Sequence, residues 1–115
     1  MTKSKRSLLK KELDFNIVWH DEAVTELNEI ENYIFQFSVQ GAELLVGRIL
    51  SAVDSLRRNP ERFQRDKELN SEFRRVIVSQ YKIVFDIKEE NKTVKILSVW
   101  NTKWNPQKFL KIAKR

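Results

Sequence analysis

Cysteine is absent from this chain of 115 residues, which excludes disulfide staples and thiolate metal sites together. Histidine occurs once, at His20; one imidazole cannot hold zinc, and no carboxylate cluster stands beside it at ligand spacing. No metal and no other cofactor is expected. Long apolar runs are missing too, so no segment reads as a membrane span. The opening residues Met1–Lys11 offer only Leu8 and Leu9 where a signal peptide needs an apolar core. These absences predict a cytoplasmic protein with no membrane partner. Neither an internal repeat nor a low-complexity stretch interrupts the chain, and its length suits one domain with its own core.

Charge is abundant and unevenly placed. Formal net charge is +6, yet residues 1–11 carry five Lys or Arg and no acid, and residues 12–47 carry eight Asp or Glu and no Lys or Arg. Residues 48–115 then carry seventeen Lys or Arg against eight acids. Such a division predicts an acidic surface from the first half and a basic one from the second, the latter suited to polyanions. A merely solvated charged rim is the plain alternative.

Apolar spacing supplies the fold. Three runs, Phe73–Val78, Tyr81–Ile87 and Val94–Trp100, are separated by short polar breaks, the pattern of strands joined as hairpins. Tyr81, Ile83, Phe85 and Ile87 alternate with Lys82 and Asp86, which predicts a half-buried sheet. The last run places Val94, Ile96, Ser98 and Trp100 on one face, with Lys95, Leu97 and Val99 on the other. Arg74 and Arg75 are adjacent and so face opposite sides, which puts one of them on the covered side or at its margin, where a charge needs a partner.

Residues 1–13 read as a basic arm with a transient helix near Leu8–Leu13, and 14–115 as the domain. Phe15–Trp19 alternates as a first strand. His20 or Asp21 then caps a helix running to about Phe37, with Ala23, Val24, Leu27, Ile30, Ile34 and Phe37 on its apolar stripe and Glu22, Glu26 and Glu29 opposite. Ser38–Gly41 breaks the pattern, and it resumes from Ala42 through Leu56 to a stop at Asn59-Pro60. So short a break implies an antiparallel helix hairpin. Glu61–Glu72 is a polar loop, and Asn105-Pro106 opens a short terminal helix that lays Phe109, Leu110 and Ala113 on the body. The three later strands form an antiparallel meander, the first must join an edge, and the result is a two-layer α+β domain.

This order of elements carries Trp19 and Ala23 at the start of the first helix, Tyr33-Ile34 near its end and Leu56 before Asn59-Pro60. Phe73-Arg74-Arg75, Tyr81–Phe85 and Val99–Pro106 follow. Together these resemble the RelE/ParE superfamily of bacterial toxins, over about residues 14–110. The resemblance implies the toxin half of a type II toxin–antitoxin pair, held by a cognate antitoxin. One branch of that superfamily cleaves messenger RNA on the ribosome; another poisons DNA gyrase without cutting anything itself. The nucleolytic pattern falls here on Arg74 or Arg75, on Lys82 and on Lys103, with a fourth place near Phe109, which has no hydroxyl.

Cutting RNA by its 2′-OH needs a base, an acid and charge stabilisation at phosphorus. Arginine supplies only the last, because it stays charged, so a lysine whose pKa neighbouring cations lower is the candidate base. Arg74, Arg75, Lys82 and Lys103 are the candidate catalytic set, and Arg62, Arg65, Lys67 and Trp104 the candidate nucleic-acid contacts, Trp104 by stacking. Plainer readings stand beside these: an arginine paired with Asp86, Tyr81 and Trp100 in the core, His20 as a cap, and solvated lysines. The leading expectation is a ribosome-associated RNA endonuclease (mRNA interferase). The alternatives are a gyrase inhibitor, whose helical hairpin is of the longer kind, and an inactive relative that binds only its antitoxin.

Overall fold

The computed structural model describes residues 14–67, 72–103, 112 and 115. The basic arm, the terminal helix from Asn105-Pro106, Trp104 and Phe109 lie outside the described residues.

Alternation in the first run yields β1 (Asn16–Trp19). His20 leaves the strand with an extended backbone, and its Nδ1 accepts a hydrogen bond from the Glu22 amide at 3.1 Å, capping α1 (Asp21–Phe35). Asp21 and Glu22 place negative charge in the first turn, where the helix dipole favours it. Ser38 caps α2 (Val39–Asp54) through its hydroxyl, which accepts from the Gly41 amide at 2.9 Å. That cap starts the second helix at Val39, ahead of the Ala42 where its apolar period resumes. A 3₁₀ turn, Ser55–Arg57, ends this arm, and Asn59 (φ 46°) adopts the left-handed backbone before Pro60 opens another turn. No helix among the described residues is long and apolar enough to cross a membrane.

Three further strands, β2 (Arg74–Val78), β3 (Tyr81–Lys88) and β4 (Thr93–Asn101), form the meander, and β1 adds to it as an edge strand, parallel to β4. The order across the sheet is β1-β4-β3-β2, with both meander pairs antiparallel. Helices over one face of a mixed sheet make the α+β class. Under them lies the larger core, built from Ala23, Leu27, Ile30, Ile49, Val53, Leu56, Tyr81, Ile83 and Phe85 among others.

Two sequence expectations change here. The sheet is covered on both sides at its centre: β3 is buried continuously from Tyr81 to Phe85, because Phe73, Val84, Leu97, Trp100 and Ile112 form a second cluster. The faces of β4 also differ from simple alternation. Phe85 pairs with Ile96 while Val84 pairs with Ser98, so Leu97 is the extra residue of a bulge. Past that bulge the phase inverts: Val94, Ile96 and Val99 belong to the core under the helices, and Trp100 belongs to the second cluster.

Beyond Trp19 the chain leaves the sheet, and the open edge of β4 needs other partners. The His20 amide donates to the Ile96 carbonyl at 2.9 Å, the Val99 amide donates to Glu26 Oε1 at 3.2 Å, and Arg115 Nη1 donates to the Leu97 carbonyl at 2.9 Å. Glu26 therefore does not stand opposite the apolar stripe. It sits three residues past Ala23 and four before Ile30, and it turns inward to the strand.

Candidate functional site

The candidate cations occupy the second strand, its approach loop, the start of the third strand and, for Lys103, the turn after β4. Register decides which of them meet. Arg74 pairs with Phe85, whose ring lies under the helices, whereas Arg75 pairs with Val84 and Ile77 pairs with Lys82. Cross-strand partners share a face, so Arg75 and Lys82 lie on one side and Arg74 on the other.

Each side chain has a distinct environment. Arg74 is half-buried, and its Nη1 donates to the Phe63 carbonyl at 2.7 Å. Asp86, the partner anticipated for an arginine, instead holds Lys88 at 3.0 Å. The hydrogen bond and charge of Asp86 raise the Lys88 pKa above its ordinary 10.5. Arg75 is half-buried, and among the described residues its guanidinium joins no ion pair; its backbone amide donates to the Gln64 carbonyl at 3.0 Å.

Lys82 is 5% exposed, and its ammonium lies 2.7 Å from Oδ2 of Asp66, which has no exposure at all. The face expected to leave this lysine in solvent is covered instead, by the Phe73 and Trp100 cluster and by the loop that delivers Asp66. Lys103 is exposed in the turn after β4, with its amide donating to Asn101 Oδ1 at 2.9 Å.

In the approach loop, Arg62 closes the end of the helical arm. Its guanidinium donates to the carbonyls of Arg58, Asn59 and Ser55 and lies 4.5 Å from the Phe63 ring centroid. Arg65 and Lys67 are exposed, Arg65 opposite Arg74 in a single bridge. The Asp66 amide donates to the Phe73 carbonyl at 2.7 Å, which folds the loop onto the start of β2 and aims its carboxylate inward.

Asp66 escaped the sequence reading, and its sole signal is that it is the one acid between Arg62 and Lys67. Arg115 escaped it as well. Its guanidinium reaches Glu22 at 2.7 Å and Glu26 at 3.0 Å, a clamp between α1 and β4 that no local pattern foretells. Among the described residues no group of three or more His, Cys, Asp or Glu is placed to hold a metal.

An antiparallel helix pair packed on a β1-β4-β3-β2 sheet, with cations gathered on its second strand and approach loop, defines the small RelE/ParE toxin fold. Residues 17–106 match the family described as ParE toxin of type II toxin-antitoxin system, parDE, and the chain belongs to that family. Solved structures share the fold at low identity. The chromosomal ParDE TA system from P. aeruginosa superposes with TM-score 0.65 at 16% identity, covering 77% of this chain and 97% of that one. The toxin–antitoxin complex RelBE2 from Mycobacterium tuberculosis gives 0.59 at 16%, covering 77% and 99%. A double arginine mutant of the E. coli toxin RelE in the free state gives 0.62 at 10%, covering 88% and 95%. No curated protein matches the chain.

Proposed function

We propose that this toxin arrests growth without cutting RNA, by binding DNA gyrase in the manner expected of the non-nucleolytic branch of its superfamily, and that a cognate antitoxin neutralises it. The observation that carries this reading is the engagement of Lys82. A general base must come within hydrogen-bond reach of the proton it takes, and this ammonium is buried against Asp66 at 2.7 Å. Arg74 is turned to the Phe63 carbonyl on the opposite face, which divides the set that RNA cleavage would need to converge. Arg75, Arg65, Lys67 and Lys103 remain as exposed or half-buried cations suited to contacting a polyanionic complex.

Support for a protein partner comes from the hairpin. Tyr33, Phe35, Phe37, Val39 and Leu44 are large apolar side chains exposed around its tip, a density that marks an interaction surface. Induction of the toxin, followed by supercoiling assays on gyrase and integrity assays on ribosome-bound messenger RNA, tests the reading. Lost supercoiling with intact transcripts is expected; cut transcripts with normal supercoiling overturn it.

A further inference from the structure

A cavity of about 340 Å³ opens where α1 passes the end of the sheet, lined by Glu29, Ile30, Tyr33, Gln80, Tyr81 and Asn101. The volume lies at the low end of ligand pockets, which run from about 300 to 1,000 Å³, and suits one long side chain better than a cofactor. Its lining holds a carboxylate, two phenols and two carboxamides, with no Lys or Arg, in a protein where 22 residues are basic. The walls are fixed. The Gln80 carbonyl accepts from both the amide and the hydroxyl of Thr102, each at 2.9 Å, and Tyr81 pairs with Asn101 across the strands.

The molecule already shows how such a place is filled. Glu22, Glu26 and Glu29 follow one another along the face of α1 that meets β4. Arg115 inserts beside the first two, pairing with both carboxylates and donating to the Leu97 carbonyl. Glu29 is the next acid on that row, and among the described residues it joins no ion pair. Beside it the exposed ring of Tyr33 meets that of Phe37 edge-on, 5.3 Å between centroids, which gives the mouth an aromatic rim. Residues 14–47 carry seven acids and no Lys or Arg, so the surrounding field favours a cation; the nearest basic side chain along the chain, Lys82 beside Tyr81, is on the other face of the sheet against Asp66.

We infer that this cavity is a socket for one arginine side chain of the antitoxin, an inference that rests on the antitoxin reading above. A guanidinium is selected over an ammonium because its planar fork meets a carboxylate with two parallel donors while its face stacks on a phenol ring.

The test uses the full chain labelled with ¹⁵N and titrated with the blocked tripeptide Ac-Ala-Arg-Ala-NH₂, its lysine form and its neutral citrulline form. Saturable shifts are expected at the amides of 29–33, 80–81 and 101, strongest for arginine, with citrulline weaker by about tenfold or more. Glu29→Gln weakens the arginine peptide by a similar factor, and Glu43→Gln on α2 leaves it unchanged. Absence of saturation, equal binding of citrulline, or an indifferent Glu29→Gln chain overturns the socket. In cells, Glu29→Arg fills the cavity from within: growth arrest persists and rescue by the antitoxin is weakened, whereas full rescue overturns the assignment. A wild-type chain that arrests no growth refutes the toxin reading instead, and leaves the peptide result to stand or fall separately.

Discussion

Asp66 brings a negative charge to a site with no exposure, and Lys82 answers it at 2.7 Å with a side chain only 6% exposed. Removing one member of such a pair strands the other charge in a low-dielectric setting, at a cost of about 3–5 kcal/mol, whereas replacing both by apolar groups is often neutral. Asp66→Ala is accordingly expected to unfold at markedly lower denaturant. Asp66→Leu combined with Lys82→Met should recover most of the loss. Growth assays on that double variant separate the roles of Lys82: a folded chain that still arrests growth fits a structural lysine, and a folded chain without toxicity makes it functional. Trp100, 1% exposed in the second cluster, sets the other residue-scale expectation: Trp100→Ala loses about 3–5 kcal/mol, read in the same denaturation series.

At the scale of elements, the decisive feature is how β4 finishes its edge once β1 has turned into α1. Glu26 Oε1 accepts from Ser98 Oγ at 2.9 Å and from the Val99 amide at 3.2 Å, and it pairs with Arg115 at 3.0 Å. One carboxylate thus joins helix, strand and chain end. Glu26→Ala is expected to cost about 2–3 kcal/mol, since hydrogen bonds to a charged group are each worth more than neutral ones, and to speed hydrogen exchange at the Val99 amide selectively. At the end of β3, the raised pKa of Lys88 follows from the hydrogen bond and charge of Asp86. A raised lysine contributes its stability in full at neutral pH and loses it as pH climbs through the folded value. Asp86→Asn should return the Lys88 titration, followed by NMR, toward 10.5.

For the whole molecule, one-dimensional pattern carried the architecture: period two in the strand runs, period 3.6 in the helices, and a cap at the His20-Asp21 helix start, whereas Ser38, read as part of a break, emerged as a cap only in the structure. The acidic first half and basic second half were likewise legible, because net charge is additive along a chain. Placement of the cations was not. Strict alternation put Trp100 with Ile96, and the bulge at Leu97 separated them, since one unpaired residue inverts every face beyond it. Alternation also left Lys82 in solvent, and only a distant loop folded across β2 brought Asp66 to cover it. Sequence by itself determined which elements form, in what order and with what charge, because those depend on neighbours within a few turns or strands. Tertiary structure decided which cations stay open to a partner and which are locked inside, because burial and ion pairing join residues far apart in the chain, whose meeting no local period encodes.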